Sequence, residues 1–157
     1  MKKIILFSIL AASMLFVGCK NPLFNPKANA KISYFTDMSN VQTTSLTLSG
    51  AAPHSAKAFM TISNGVDTNF TDYSITFYDI AGRLLPLSIE NKTTAFIAGS
   101  GNAVSVATGY VPINVTNSSV TAYKTANALT QLTLAVIISG EDINGNQIVT
   151  NGNFTIY

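Results

Sequence analysis

The sequence predicts an all-β fold, a two-sheet antiparallel β-sandwich, and three observations predict it. Apolar residues alternate with small polar ones along most of the chain from Lys31 to Tyr157, and a period of two puts each apolar set on one face of a pleated strand. Charged residues are only 10% of the chain, so polar work falls to Thr, Ser and Asn, which suit half-buried strands and turns. Turn residues recur between the alternating runs at the spacing of short strands, about nine in all.

Each strand is justified by its own alternation. Leu46 and Leu48 alternate with Ser45, Thr47 and Ser49. Tyr73, Ile75 and Phe77 alternate with Asp72, Ser74 and Thr76. Leu85, Leu87 and Ile89 form a third set, Val104 and Val106 a fourth, and Val111, Ile113 and Val115 a fifth. Residues 132–138 are more continuously apolar, which predicts the most buried strand, packed on both sides or central in its sheet. Pro86 and Pro112 cannot donate a ladder hydrogen bond, so their strands belong at edges or contain bulges.

Two turns share the pattern Asp-Ile-x-Gly-x, at Asp79-Ile80-Ala81-Gly82-Arg83 and Asp142-Ile143-Asn144-Gly145-Asn146. They read as one turn solution used twice. Asn144-Gly145 is a two-residue hairpin signal, because both residues tolerate positive φ. Residues 118–128 alone break the β pattern. They fit either a short helix capped by Ser118 or Ser119, or a long crossover loop.

The N-terminus has a different grammar. Met1-Lys2-Lys3 precedes an apolar run over residues 4–17, interrupted only by Ser8 and Ser13, and Gly18-Cys19 follows. A charged start, a short apolar stretch and a small residue before the cut mark a secretory signal peptide over residues 1–18. Phe16-Val17-Gly18-Cys19 resembles the lipobox of bacterial lipoproteins, with Phe16 where Leu is usual. The resemblance implies cleavage before Cys19, a diacylglycerol on its thiol and attachment to a membrane through that lipid. Lys20 rather than Asp after the cysteine implies the outer membrane of a bacterial cell envelope. The alternatives are an ordinary signal peptide cut near Ala11-Ala12-Ser13, or an uncleaved anchor; the apolar run falls short of the ~20 residues that cross a bilayer as a helix.

Residues 19–30 contain two Asn-Pro pairs and no periodicity, as a short tether would. Leu23 and Phe24 are the only large apolar side chains there. Residues 31–157 form the sandwich domain. Its strand spacing, and the closing pattern from Ile138-Ser139-Gly140-Glu141-Asp142 to Asn153-Phe154-Thr155-Ile156, resemble the immunoglobulin-like domains of bacterial surface lipoproteins. That resemblance implies an immunoglobulin-like sandwich here, without a Trp or a cysteine pair between the sheets.

Charge narrows the function classes. The formal +2 includes Lys2 and Lys3 of the leader; after Gly18 seven basic residues face seven acidic ones. No basic stripe is visible, so nucleic acid is not an expected partner. Acylation of Cys19 leaves no thiol for a disulfide, so a packed core must hold the domain.

Catalytic groups are scarce. His54 is the only histidine, in the turn-like Ala52-Pro53-His54-Ser55, and reads as an exposed loop residue; adjacent Ser55 does not make a dyad with it. One histidine and one lipidated cysteine cannot build a zinc site. The carboxylates Asp67, Asp72, Asp79, Glu90, Glu141 and Asp142 fall mostly at turns or strand ends, so paired acid chemistry is not expected. Asp142, Asn144 and Asn146 are weak calcium candidates, with oxygens at alternate positions but no bidentate Glu at the required distance. Gly99-Ser100-Gly101-Asn102 lacks the Lys-Ser/Thr of a phosphate loop.

The expectation is therefore a non-catalytic, lipid-anchored envelope lipoprotein without a cofactor. Its sandwich would act as a structural or protein-binding module, with another envelope protein as partner. One alternative is a polymerising pilus or fibre subunit that exchanges strands through the apolar end Asn153-Phe154-Thr155-Ile156-Tyr157. Another is a surface module that binds sugar or calcium.

Overall fold

A computed structural model describes residues 26–48, 52–101 and 105–157. The leader, Cys19, Leu23, Phe24 and Val104 lie outside the described residues.

The alternation in the sequence is realised as two packed sheets. In chain order the elements are β1 (Ala30–Thr36), β2 (Gln42–Thr43), β3 (Ser45–Leu46), β4 (Ser55–Ile62), β5 (Thr68–Tyr78), β6 (Leu84–Ile97), β7 (Ala107–Asn114), α1 (Ser118–Ala126), β8 (Leu132–Asp142) and β9 (Gln147–Ile156). One sheet has the order β2-β1-β4-β7 and the other β3-β9-β8-β5-β6. Their inner faces share one core, an all-β sandwich. The pairing is antiparallel except for β3, which runs parallel to the end of β9, so the five-stranded sheet is mixed.

β8 is central, between β9 and β5. Leu132, Leu134, Val136 and Ile138 are fully buried, whereas Ile137 on the other face is exposed. The strand is thus central without being covered on both sides. The prolines sit as their missing donors require: Pro86 is in edge strand β6 and Pro112 in edge strand β7. Val106 is exposed and precedes β7, whose inward residues are Ala107, Val111 and Ile113.

Two bulges keep the large side chains pointing inward. β1 shifts register between Ile32 and Tyr34, and β5 shifts between Phe70 and Asp72 against both of its neighbours. One extra residue reverses the side-chain phase of a strand. Ser33 therefore lets Ile32 and Phe35 both face the core, and Thr71 does the same for Phe70 and Tyr73. Gly140 lies opposite Phe70, where a Cβ would stand 2.1 Å from the Asn69 carbonyl oxygen. Across the core, Phe35 packs on Phe154 with centroids 5.1 Å apart. Gly152 makes room for that ring, which a Cβ would meet at 3.2 Å.

Three expectations change in the structure. Residues 118–128 are helical over Ser118–Ala126, and the cap is Asn117, whose Oδ1 accepts the Val120 amide at 2.9 Å. The Asn144-Gly145 turn is not a two-residue hairpin with paired positive φ. Only Gly145 is left-handed there, at φ 77°, and its amide donates to the Asp142 carbonyl at 2.9 Å. This is a three-residue loop, a type I turn followed by a bulge glycine. Finally, residues 26–29, placed in the tether by composition, are docked on the domain. Ala28 is buried, and Asn29 N–H donates to Asn64 Oδ1 at 2.9 Å.

Two substitutions test this packing. Gly140→Ala is expected to lower Tm by an amount equivalent to about 1–3 kcal/mol, as overpacking against backbone costs; a thermal melt reads it. Thr36 Oγ1 is a buried side-chain oxygen with no hydrogen-bond partner. Thr36→Val removes that unsatisfied hydroxyl at nearly constant volume, so Tm should rise by a few degrees.

Candidate functional site

Among the described residues, the Asp142 carboxylate gathers five hydrogen bonds where β8 leaves the sheet. The β8–β9 loop folds back so that Oδ1 accepts the amides of Asn144 and Asn146, each at 2.9 Å. Oδ2 accepts the amide of Ala28 at 2.8 Å, and Asn146 Nδ2 donates to both oxygens at 3.2 and 3.0 Å. Asn144 Nδ2 donates onward to the Pro26 carbonyl at 2.9 Å. The three calcium candidates are thus brought together, but both asparagines turn nitrogen donors rather than oxygens toward their partners. Asp142 acts as an anionic acceptor that ties the N-terminal segment to a hairpin. Burial pushes its carboxyl up, but the Ala28, Asn146 and Asn144 donors outweigh burial and hold it below the usual carboxylate value.

The second copy of the turn is built alike and does less. Asp79 Oδ1 accepts the amides of Ala81 and Arg83 at 2.9 Å, and Gly82 takes φ 76°. Its Oδ2 receives Arg83 Nε at 2.7 Å, where Asp142 receives a distant backbone amide. The Arg83 amide, followed by its guanidinium, lowers the Asp79 carboxyl. These two carboxylates mark opposite ends of the sandwich, at the start of the β5–β6 turn and at the end of β8.

The remaining candidate acids Asp67, Asp72, Glu90 and Glu141 lie on or beside strands of the five-stranded sheet. Asp72 faces Lys92 across β5 and β6 and is lowered chiefly by the hydrogen bond from that lysine. With Ser74, Glu90 and Ser139 the pair lines a shallow, open depression. An exposed pair of this kind contributes little stability. Asp67 Oδ1 accepts the Gly99 amide at 2.6 Å, and its carbonyl accepts the Ile143 amide at 3.0 Å. Gly99 therefore serves backbone contact: a Cβ there would stand 2.0 Å from the Gly65 oxygen. Among the described residues no three His, Cys, Asp or Glu side chains gather as metal ligands.

His54 is half-buried rather than exposed. Its Nδ1 lies 2.8 Å from Thr116 Oγ1, and its carbonyl accepts the Val115 amide at 2.8 Å. It pins the loop before β4 to the chain leaving β7, while Ser55 bonds instead to Asn114 Oδ1 at 2.8 Å.

The sheet register also gathers aromatic residues scattered through the sequence. Tyr34, Phe59 and Tyr110 form one row across β1, β4 and β7 on the outer face. Tyr34 and Phe59 stack at 4.6 Å with an interplanar angle of 8°, and Lys57 Nζ lies 4.9 Å from the Tyr110 ring centre. Tyr34 and Phe59 thus cover one face of each other, while Tyr110 is 50% exposed with the Lys57 cation over its ring.

No family model and no curated protein matches the chain. Among solved structures, a Northeast Structural Genomics Consortium target, SoR45, is similar at TM-score 0.38 and 9% identity, covering 66% of this chain and 70% of that one. A protein from Archaeoglobus fulgidus is similar at TM-score 0.37 and 13% identity, covering 69% and 87%. Likenesses this loose carry no argument about fold or activity.

The Asp142 centre makes a pH prediction. Its folded pKa lies below the unfolded value of about 3.9, so its stabilisation is complete above that value and is lost as pH falls through the folded pKa. Asp142→Asn should therefore lower stability at pH 7 by about 1–3 kcal/mol. The gap from the parent should close on acidification below about pH 4. Melts across pH would show it, and a gap constant with pH would contradict the assignment.

Proposed function

We propose that this chain is a lipid-anchored envelope lipoprotein whose immunoglobulin-like sandwich is displayed from a membrane as a non-catalytic module that binds another envelope protein. The observation that carries the reading is the Phe16-Val17-Gly18-Cys19 motif, followed after only six residues by the start of the described domain at Pro26. The seven residue steps from Cys19 to Pro26 reach about 25 Å at most, so a lipid on Cys19 would keep the domain against its membrane. Among the described residues no helix is long and apolar enough to cross a membrane. The immunoglobulin-like assignment is supported by β1, β4 and β7 forming one sheet opposite β9-β8-β5-β6. At the end farthest from the tether Ile80 and Leu84, 74% and 64% exposed, would supply the surface for that partner.

Membrane fractionation of the Cys19→Ala variant tests the anchor. The parent should sediment with membranes and the variant should move to the soluble fraction. Equal partitioning of the two would remove lipid attachment through Cys19.

A further inference from the structure

The repeated turn gives the sandwich two ends of the same chemistry, and only one of them is held near the tether. Ile80 and Ile143 occupy the same position in the two Asp-Ile-x-Gly-x turns and are 74% and 73% exposed. Pro26 and Ala28 hydrogen-bond to the Ile143 turn, through Asn144 Nδ2 and Asp142 Oδ2, and Lys27 and Asn29 bond to Asn64. The chain from Cys19 therefore arrives beside Ile143. Two further apolar side chains stand at that end. Phe96, 64% exposed, pairs with Asn69, which pairs in turn with Glu141. Val106, 57% exposed, immediately precedes β7, whose first residue pairs with Ile62 opposite Ala30.

We infer that this end of the sandwich is a membrane-seating surface, with Ile143 as its tip and Phe96 and Val106 beside it, resting in the interfacial region of the bilayer. The inference rests on the lipid anchor at Cys19 and adds an orientation to it. Its occupant is fixed by the tether: seven residue steps place a lipid surface within about 25 Å of Pro26, so exposed apolar groups at this end meet headgroups and acyl chains before any other partner. The cations of Lys27 and Lys31 are exposed at the same end and suit an anionic leaflet. The exposed acid there is Glu141; Asp142 is buried under its donors and Asp67 is engaged by Gly99. Interfacial seating needs no spanning segment, only apolar side chains that reach the headgroup boundary with polar groups behind them. Ile80, on an equivalent turn at the far end, would remain in water.

The sequence contains no Trp, so a single introduced indole reports its own surroundings. The mature lipid-bearing protein, purified from membranes and carrying either Ile143→Trp or Ile80→Trp, is reconstituted into vesicles that contain brominated phosphatidylcholine and phosphatidylglycerol, and the vesicles are floated. The expected result is that both variants float, and that the Ile143→Trp reporter is blue-shifted and loses most of its emission to the bromolipid. The Ile80→Trp reporter should be quenched instead by aqueous iodide. A floating protein whose two reporters are equally wet would overturn the seating surface and leave the anchor intact. Two reporters equally quenched by bromolipid would overturn the orientation. Failure of both variants to float, with thermal melts like the parent's, would overturn the anchor and this inference with it.

Discussion

The sandwich depends on keeping one face of every strand in the core while strands longer than the core is wide bend around it. A strand has a strict period of two, and a sandwich has one interior, so any local bend threatens to turn buried side chains outward. β1 and β5 bend at Ser33 and Thr71, each of which adds one residue and restores the phase. Phe35 then reaches Phe154, and Tyr73 points its ring into the core. The Tyr73 hydroxyl accepts hydrogen bonds from the Asn114 amide at 2.8 Å and from Asn91 Nδ2 at 3.1 Å, and so links the two sheets. With no cysteine pair in the sequence, contacts of this kind replace the covalent brace used by many exported sandwiches.

Edges of the four-stranded sheet are closed by side chains from the other sheet. Thr150 Oγ1 accepts the Ile32 amide of β1 at 3.3 Å, and Tyr73 takes the Asn114 amide of β7. Thr93 Oγ1 donates to the Pro112 carbonyl at 3.3 Å. Groups engaged in this way are no longer templates for another strand. The apolar end of β9 is likewise committed, since Phe154 and Ile156 are buried and β3 pairs along its last residues. These backbone groups are therefore engaged within the domain itself.

One local sequence serves two purposes in this fold. Both Asp-Ile-x-Gly-x segments make the same turn because Asp accepts the amides two and four residues on, while glycine supplies the left-handed residue. What differs is the spare carboxylate oxygen. At Asp79 it takes the neighbouring Arg83, whereas at Asp142 it takes the amide of Ala28, 114 residues away in the chain. The local code fixes the turn, and the second oxygen becomes a tertiary anchor only where another segment arrives.

The sequence by itself determined the β class, the central place of the strand over residues 132–138, the restriction of Pro86 and Pro112 to edges or bulges and the reuse of one turn. Each of these follows from short-range rules of periodicity, missing donors or φ preference. Only the tertiary structure decided the bulge phases, although the spacings Ile32-x-x-Phe35 and Phe70-x-x-Tyr73 carried a readable trace of them. It also decided that His54 is pinned to Thr116, that Tyr34, Phe59 and Tyr110 share a row, and that the chain enters beside Ile143 rather than Ile80. Those outcomes depend on pairing between segments far apart in sequence, which alternation within a single strand cannot specify.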